Sequence, residues 1–160
     1  MRIVVSAVGR LKAGAERDLC ERYRDRADKA GRALGFTGVD MREIGESRAG
    51  RSEQRCAEEA SALISALPEG AFVVVLDETG KTMASRAFAE RLATTRDRAV
   101  PETRFLIGGA DGHGEEARRR ADLILALGPM TFPHQIARVL VLEQIYRAIT
   151  ILAGHPYHRD

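Results

Sequence analysis

The stretch that most constrains this chain is Ala71-Phe-Val-Val-Val-Leu76, six apolar residues in a row set between Pro68-Glu-Gly70 and Asp77-Glu-Thr-Gly80-Lys81. A strand with one wet face alternates apolar and polar residues. One that does not alternate is covered on both faces, as in a parallel sheet between two helical layers. Parallel neighbours cannot be joined by a tight turn, so each pair needs a crossover of a dozen residues or more. The rest of the chain should then alternate strands with helices.

It does. Strands are predicted over 2–8, 37–44, 71–76, 103–107 and 123–127, and helices over 13–34, 53–67, 85–98, 115–121 and 134–153. Residues 45–52 and 77–81 read as polar loops, and Gly154 stands where a helix-ending glycine belongs. The chain is expected to be one α/β domain over 1–160, with a mostly parallel sheet flanked by helices. Its 160 residues suffice for a core of their own. No repeat or linker interrupts the pattern.

The predicted last helix is apolar nearly all round: Ile136, Val139, Leu140, Val141, Leu142, Ile145, Ala148, Ile149, Ile151 and Leu152 leave only a narrow polar strip with Glu143 and Arg147. Such a helix is buried on more than one side. A second subunit would do this, giving a homodimer; a central place within one subunit is the alternative.

Composition excludes several classes. A hydrophobic fraction of 44% and mixed charges argue against long disorder. No apolar run reaches the roughly 20 residues a membrane helix needs. Cys20 and Cys56 fit no paired motif and read as free thiols of a reducing cytoplasm. The formal net charge of +2, carried by 22 Arg and 3 Lys, makes no bulk case for nucleic-acid binding, which depends on local arrays of cations.

Ligands of open parallel sheets bind beyond the carboxyl ends of the strands. Three such loops follow Leu76, Ile107 and Leu127. The second, Gly108-Gly-Ala-Asp-Gly-His-Gly114, brings backbone close to a ligand but is neither a dinucleotide fingerprint nor a phosphate loop. A plain strand-to-helix turn explains it equally well. The third, Leu127-Gly-Pro-Met-Thr-Phe132, is apolar yet irregular. Its free backbone groups and greasy side chains suit a purine, although Met130 and Phe132 would also serve as core. The tail, Gly154-His-Pro-Tyr-His-Arg-Asp160, concentrates acid–base and phosphate-binding groups and is expected to fold back over a pocket. His155 and His158 lack the further ligands of a metal site, so no metal is expected.

Phe105-Leu-Ile-Gly-Gly109, Thr131-Phe-Pro-His-Gln135, Arg138-Val-Leu140, Glu143-Gln-Ile-Tyr-Arg147 and His155-Pro-Tyr-His-Arg-Asp160 together resemble the RlmH family. These are SPOUT-class methyltransferases acting on N3 of a pseudouridine in 23S ribosomal RNA. The resemblance runs the whole chain. It implies a C-terminal trefoil knot, a cytoplasmic homodimer, and the ribosome as partner. S-adenosylmethionine would lie against Leu76, Gly108, Leu127, Gly128, Pro129, Met130, Thr131 and Phe132. Tyr157, His158 and Arg159 would be catalytic: His158 relaying the proton, Arg159 holding phosphate or the imide anion, Tyr157 orienting the base. Arg138 would position the tail or RNA. A non-catalytic ribosome-binding or assembly factor that keeps the pocket is the alternative. The chain departs from the family at Ala110-Asp111, where Pro-Glu is usual, and in the Gly128-Pro-Met-Thr-Phe loop.

Overall fold

The computed structural model describes residues 1–158. Five parallel strands form one sheet in the order β2-β1-β4-β3-β5: β1 is Arg2–Val8, β2 Gly38–Ile44, β3 Phe72–Thr82, β4 Glu102–Ile107 and β5 Leu123–Ala126. The helices are α1 Ala15–Gly31, α2 Ser52–Ser65, α3 Ser85–Asp97, α4 Glu115–Arg120 and α5 His134–Leu152, with a short 3-10 turn, Arg32–Leu34, closing α1.

Both faces of the sheet are covered. Ile3, Val5, Ala7, Val74, Phe105 and Ile107 point into a core shared with α1, α3 and α5. Val8, Val73, Val75 and Leu106 point the other way, toward Ala60 and Leu63 of α2 and Ala117 of α4. Adjacent residues of β3 therefore serve opposite cores, which is why that segment shows no alternation. Val73 and Val75 are fully buried and Val74 nearly so.

One predicted loop is part of a strand. β3 runs on through Thr82, because Lys81 and Thr82 rejoin β5 at Leu125 and Ala126. Leu125 pairs with both Leu76 and Lys81, so residues 77–80 leave the ladder between two paired ends. A polar segment is thus fixed at both ends beside the sheet edge.

The apolar circumference of α5 is largely satisfied within the chain. Val141, Leu142, Ile145, Ala148 and Ile149 are buried between α1, α3 and the sheet, so the central-helix alternative accounts for most of it. Ile136 stays exposed, and Leu140 lines a small apolar cavity of about 130 Å³ with Met83, Phe88 and Leu127. Gly154 has φ +65, the left-handed conformation expected just past the helix end.

Arg138 does not reach tail or RNA. It is fully buried, donating to Glu43 at 2.9 Å and to the Val8 carbonyl at 2.5 Å. Glu43 also accepts from the Leu11 backbone N–H. The guanidinium thus ties α5 to the carboxyl ends of β1 and β2. The sequence showed an arginine on an apolar helix, but the carboxylate that explains it lies 95 residues away.

Candidate active site

The three glycine-bearing loops converge on one open cleft of about 700 Å³ at the carboxyl edge of β3, β4 and β5. That volume is within the range of sites for cofactor-sized molecules. Leu76, Gly108, Leu127, Gly128, Met130, Thr131 and Phe132 all line it. Pro129 belongs to the same loop but is not part of the lining. Asp77, Glu78, Thr79, Asp111, Arg118, His134 and Ala137 also line the cleft and were not foreseen as site residues. The signal for Asp77 to Thr79 was available: they follow the carboxyl end of a buried strand.

Backbone is packed tightly at the floor. Gly112 donates to the Gly109 carbonyl at 3.1 Å, folding the glycine loop on itself. A Cβ on Gly108 would sit 2.6 Å from the Gly112 carbonyl oxygen, so no other residue fits there without moving the turn. Asp111 is not a free polar residue of a turn. It accepts from Arg55 of α2 at 2.7 Å.

The rim is acidic with one guanidinium. Asp77 pairs with Arg118 at 2.7 Å and accepts both the hydroxyl and the backbone N–H of Thr79. Burial alone would raise its carboxyl, but those hydrogen bonds and the charges of Arg118 and His113 hold it below the usual carboxylate range. Glu78 accepts from Thr131 at 2.7 Å, clasping the β3 excursion to the apolar loop. His113 is turned inward, and burial pushes its imidazole below its ordinary value against the pull of Asp77. His134, at the start of α5, is likewise lowered, by burial and then by Arg138.

Met130 and Phe132 are not core. With Ile136 they are the exposed large hydrophobic residues among those described, Met130 at 72%. They form an apolar lip on the cleft. An apolar lip over free backbone groups, carboxylates and one guanidinium can take a ring system together with a cationic group and an anionic one.

The described part of the tail, through His158, is not over this cleft. Tyr157 packs on Tyr146 with ring centroids 4.7 Å apart and donates its hydroxyl to Glu143 at 3.1 Å. Arg147 donates twice to Glu143 and stands over the Tyr157 ring at 5.0 Å. It also lies 3.4 Å from Nδ1 of His158; since guanidinium only donates, Nδ1 is the acceptor. Burial, then hydrogen bonding to Tyr23 and the charge of Glu143, pushes the Tyr157 phenol up. The Glu143–Arg147 pair of the narrow polar strip is largely buried and serves as the tail's mooring. These anchors lie six to ten residues beyond Ala137 on α5, about 9 to 15 Å along its axis at 1.5 Å per residue. Within one chain the tail folds back on α5, not over the pocket. Arg159 lies outside the described residues.

Among the described residues no group of three or more His, Cys, Asp or Glu is placed to hold a metal ion. No helix of the described chain is long and apolar enough to cross a membrane.

The family model described as a predicted SPOUT methyltransferase matches residues 1–158. A protein of Nitrobacter hamburgensis named ribosomal RNA large subunit methyltransferase H is 58% identical over 99% of both chains. Proteins of the same name from Rhodopseudomonas palustris and Xanthobacter autotrophicus are each 57% identical over the same shares. Among solved structures, the SpoU methyltransferase AviRb of Streptomyces viridochromogenes, in complex with AdoMet, is similar at TM-score 0.42 and 14% identity, covering 96% of this chain and 61% of that one. With a match running from the first strand to the tail and a cleft at the carboxyl edge of a parallel sheet, the chain belongs to the SPOUT methyltransferase family.

Proposed function

We propose that this protein is an S-adenosylmethionine-dependent methyltransferase of the cytoplasm that methylates N3 of a pseudouridine in 23S ribosomal RNA, on the assembled ribosome, as a homodimer. The observation that carries the reading is the full-length similarity to proteins named ribosomal RNA large subunit methyltransferase H, which extends through the tail. The C-terminal trefoil knot belongs to the same reading, as a property of that family.

The cleft's residues fit the cofactor's chemistry. When bound, S-adenosylmethionine supplies a methyl group on a positively charged sulfur. Leu76, Leu127, Met130 and Phe132 offer apolar faces for the adenine, and Gly108, Gly128 and Thr131 offer backbone groups for its edge and ribose. Asp77 lies in the same cleft and suits a cation; Arg118 beside it suits a carboxylate.

The target N3 is an imide nitrogen, and its neutral form is a poor nucleophile. It must lose its proton to a base of suitable pKa. His158 would take or relay that proton, Arg159 would hold the imide anion or a phosphate, and Tyr157 would orient the base by stacking. Most of the remaining help is positioning. Since each chain's tail is moored away from its own cleft, we assign these three residues to the cleft of the partner subunit.

Mass spectrometry of ribosomal RNA from a strain lacking this protein tests the function. One methyl group should be missing from a 23S pseudouridine and should return on complementation. An unchanged methylation pattern would refute the reading.

A further inference from the structure

The carboxyl edge of the sheet continues past the cleft to the ends of β1 and β2, and that part is cationic. Arg10 and Lys12 follow β1, Arg42 lies near the end of β2, and Arg48 and Arg51 follow β2. All five are exposed. Among the described residues none of them is paired with a carboxylate, whereas Arg2, Arg17, Arg24, Arg32, Arg55 and Arg96 are.

The segments carrying them are held in place. The Gly9 N–H donates to the Ile44 carbonyl at 2.8 Å and the Leu11 N–H to Glu43 at 2.8 Å, joining the two loops. The Ser47 N–H donates to Glu59 at 2.9 Å. Arg55 then links this loop to the cleft: its Nη1 donates to the Ala49 carbonyl at 3.0 Å while its Nε donates to Asp111. One guanidinium therefore separates the Arg48–Arg51 loop from the glycine loop of the cleft wall. The acids around it are already engaged: Glu43 by Arg138, Glu58 by Ser47 and Asp111 by Arg55. Glu46 in the same loop and Glu53 at the start of α2 are exposed acids beside the array, with no ion pair among the described residues.

Exposed, unpaired cations on anchored loops beside a cleft match an RNA phosphate backbone, which has regularly spaced single charges and rewards local arrays over net charge. Four of these five residues are arginine, which grips phosphate in two-point geometry; Lys12 and the arginines thus supply the array that a net charge of +2 conceals. We propose that Arg10, Lys12, Arg42, Arg48 and Arg51 form the RNA-gripping surface of this protein, holding the phosphates that flank the target nucleotide while its base enters the cleft.

This rests on the ribosomal RNA reading, and the test separates the two. Methylation kinetics would be measured on ribosomes lacking the modification, for wild type, R48Q/R51Q and R91Q/R98Q, the last removing two exposed arginines, one in α3 and one just past its end, that have no ion pair among the described residues. Expected for R48Q/R51Q is a rise in KM for ribosomes of about tenfold with kcat within about twofold, and unchanged S-adenosylmethionine affinity by calorimetry. The slope of log kcat/KM against log salt should fall by about 1.5, as for two lost phosphate contacts. R91Q/R98Q should match wild type. If R48Q/R51Q keeps the wild-type KM and salt slope, or R91Q/R98Q loses as much, the surface is elsewhere. A wild-type protein that methylates no ribosome removes the function reading, and this proposal with it. Equal melting temperatures of the three proteins would show that any loss is in binding.

Discussion

The two ends of α5 do different things. At its start, His134 and Ala137 line the cleft beside Gly108 and the 127–132 loop, all from one chain. At its far end, Glu143, Tyr146 and Arg147 hold the tail. The first end has a complete wall for a ligand and an exposed apolar lip. The second has reactive side chains with no cleft of their own. A helix of 19 residues keeps them apart, because it is rigid and packed on two sides. The contrast teaches that cleft and tail are separately housed within one chain, which is why the proposed reading needs a second copy to bring them together.

Removing the tail should have the largest effect. Deleting residues 157–160 should lower methylation by about a thousandfold or more while leaving S-adenosylmethionine affinity within about threefold, since no described tail residue lines the cleft. Rates and calorimetric affinity on the same preparation check this; full activity would erase the distinction between the two ends.

Mixing tests whether tail and cleft meet across subunits. G108V should close the cofactor cleft, because its Cβ meets the Gly112 carbonyl at 2.6 Å, yet leave the tail intact. The tail deletion does the reverse. Each alone should be inactive. After co-refolding or co-expression, half of the dimers would be mixed with one competent site each, giving about a quarter of wild-type activity. No recovery, with mixed dimers confirmed by mass, would place tail and cleft in the same chain.

The smallest effect concerns the cleft end alone. Burial lowers the His113 pKa in the folded protein below its ordinary 6.5. The unfolded chain therefore takes up this proton first, and stability is lost as pH falls below about 6.5. In H113Q the drop in melting temperature between pH 7 and pH 5 should be smaller by a few degrees, of order 2–4 °C. Parallel pH curves for H113Q and wild type would remove His113 from the account.

Much of the fold was legible because it rests on local pattern. The unbroken run through Val73–Val75 implied a sheet covered on both faces, and the helices announced themselves through spacing, several of them with a glycine or proline at one end. The 77–81 segment was misread because its polarity says loop, while its return to β5 depends on pairing with residues more than 40 positions away. Arg104 was equally invisible: it is buried in the middle of β4 against Glu102 and Ser6, and a strand pattern cannot show which cation a fold will bury.

The sequence by itself determined the α/β class, the three loops that make the cleft, and the family, since these lie in runs of adjacent residues. Only the tertiary structure decided what depends on distant partners. It buried Arg138 against Glu43, put Asp77 and Arg118 together in the cleft, covered most of α5 within one chain, and moored the tail on Glu143 and Arg147. The physical reason is range. Propensity and periodicity act over a few residues, whereas a buried charge or a docked tail is settled by whatever the folded chain brings within about 4 Å of it.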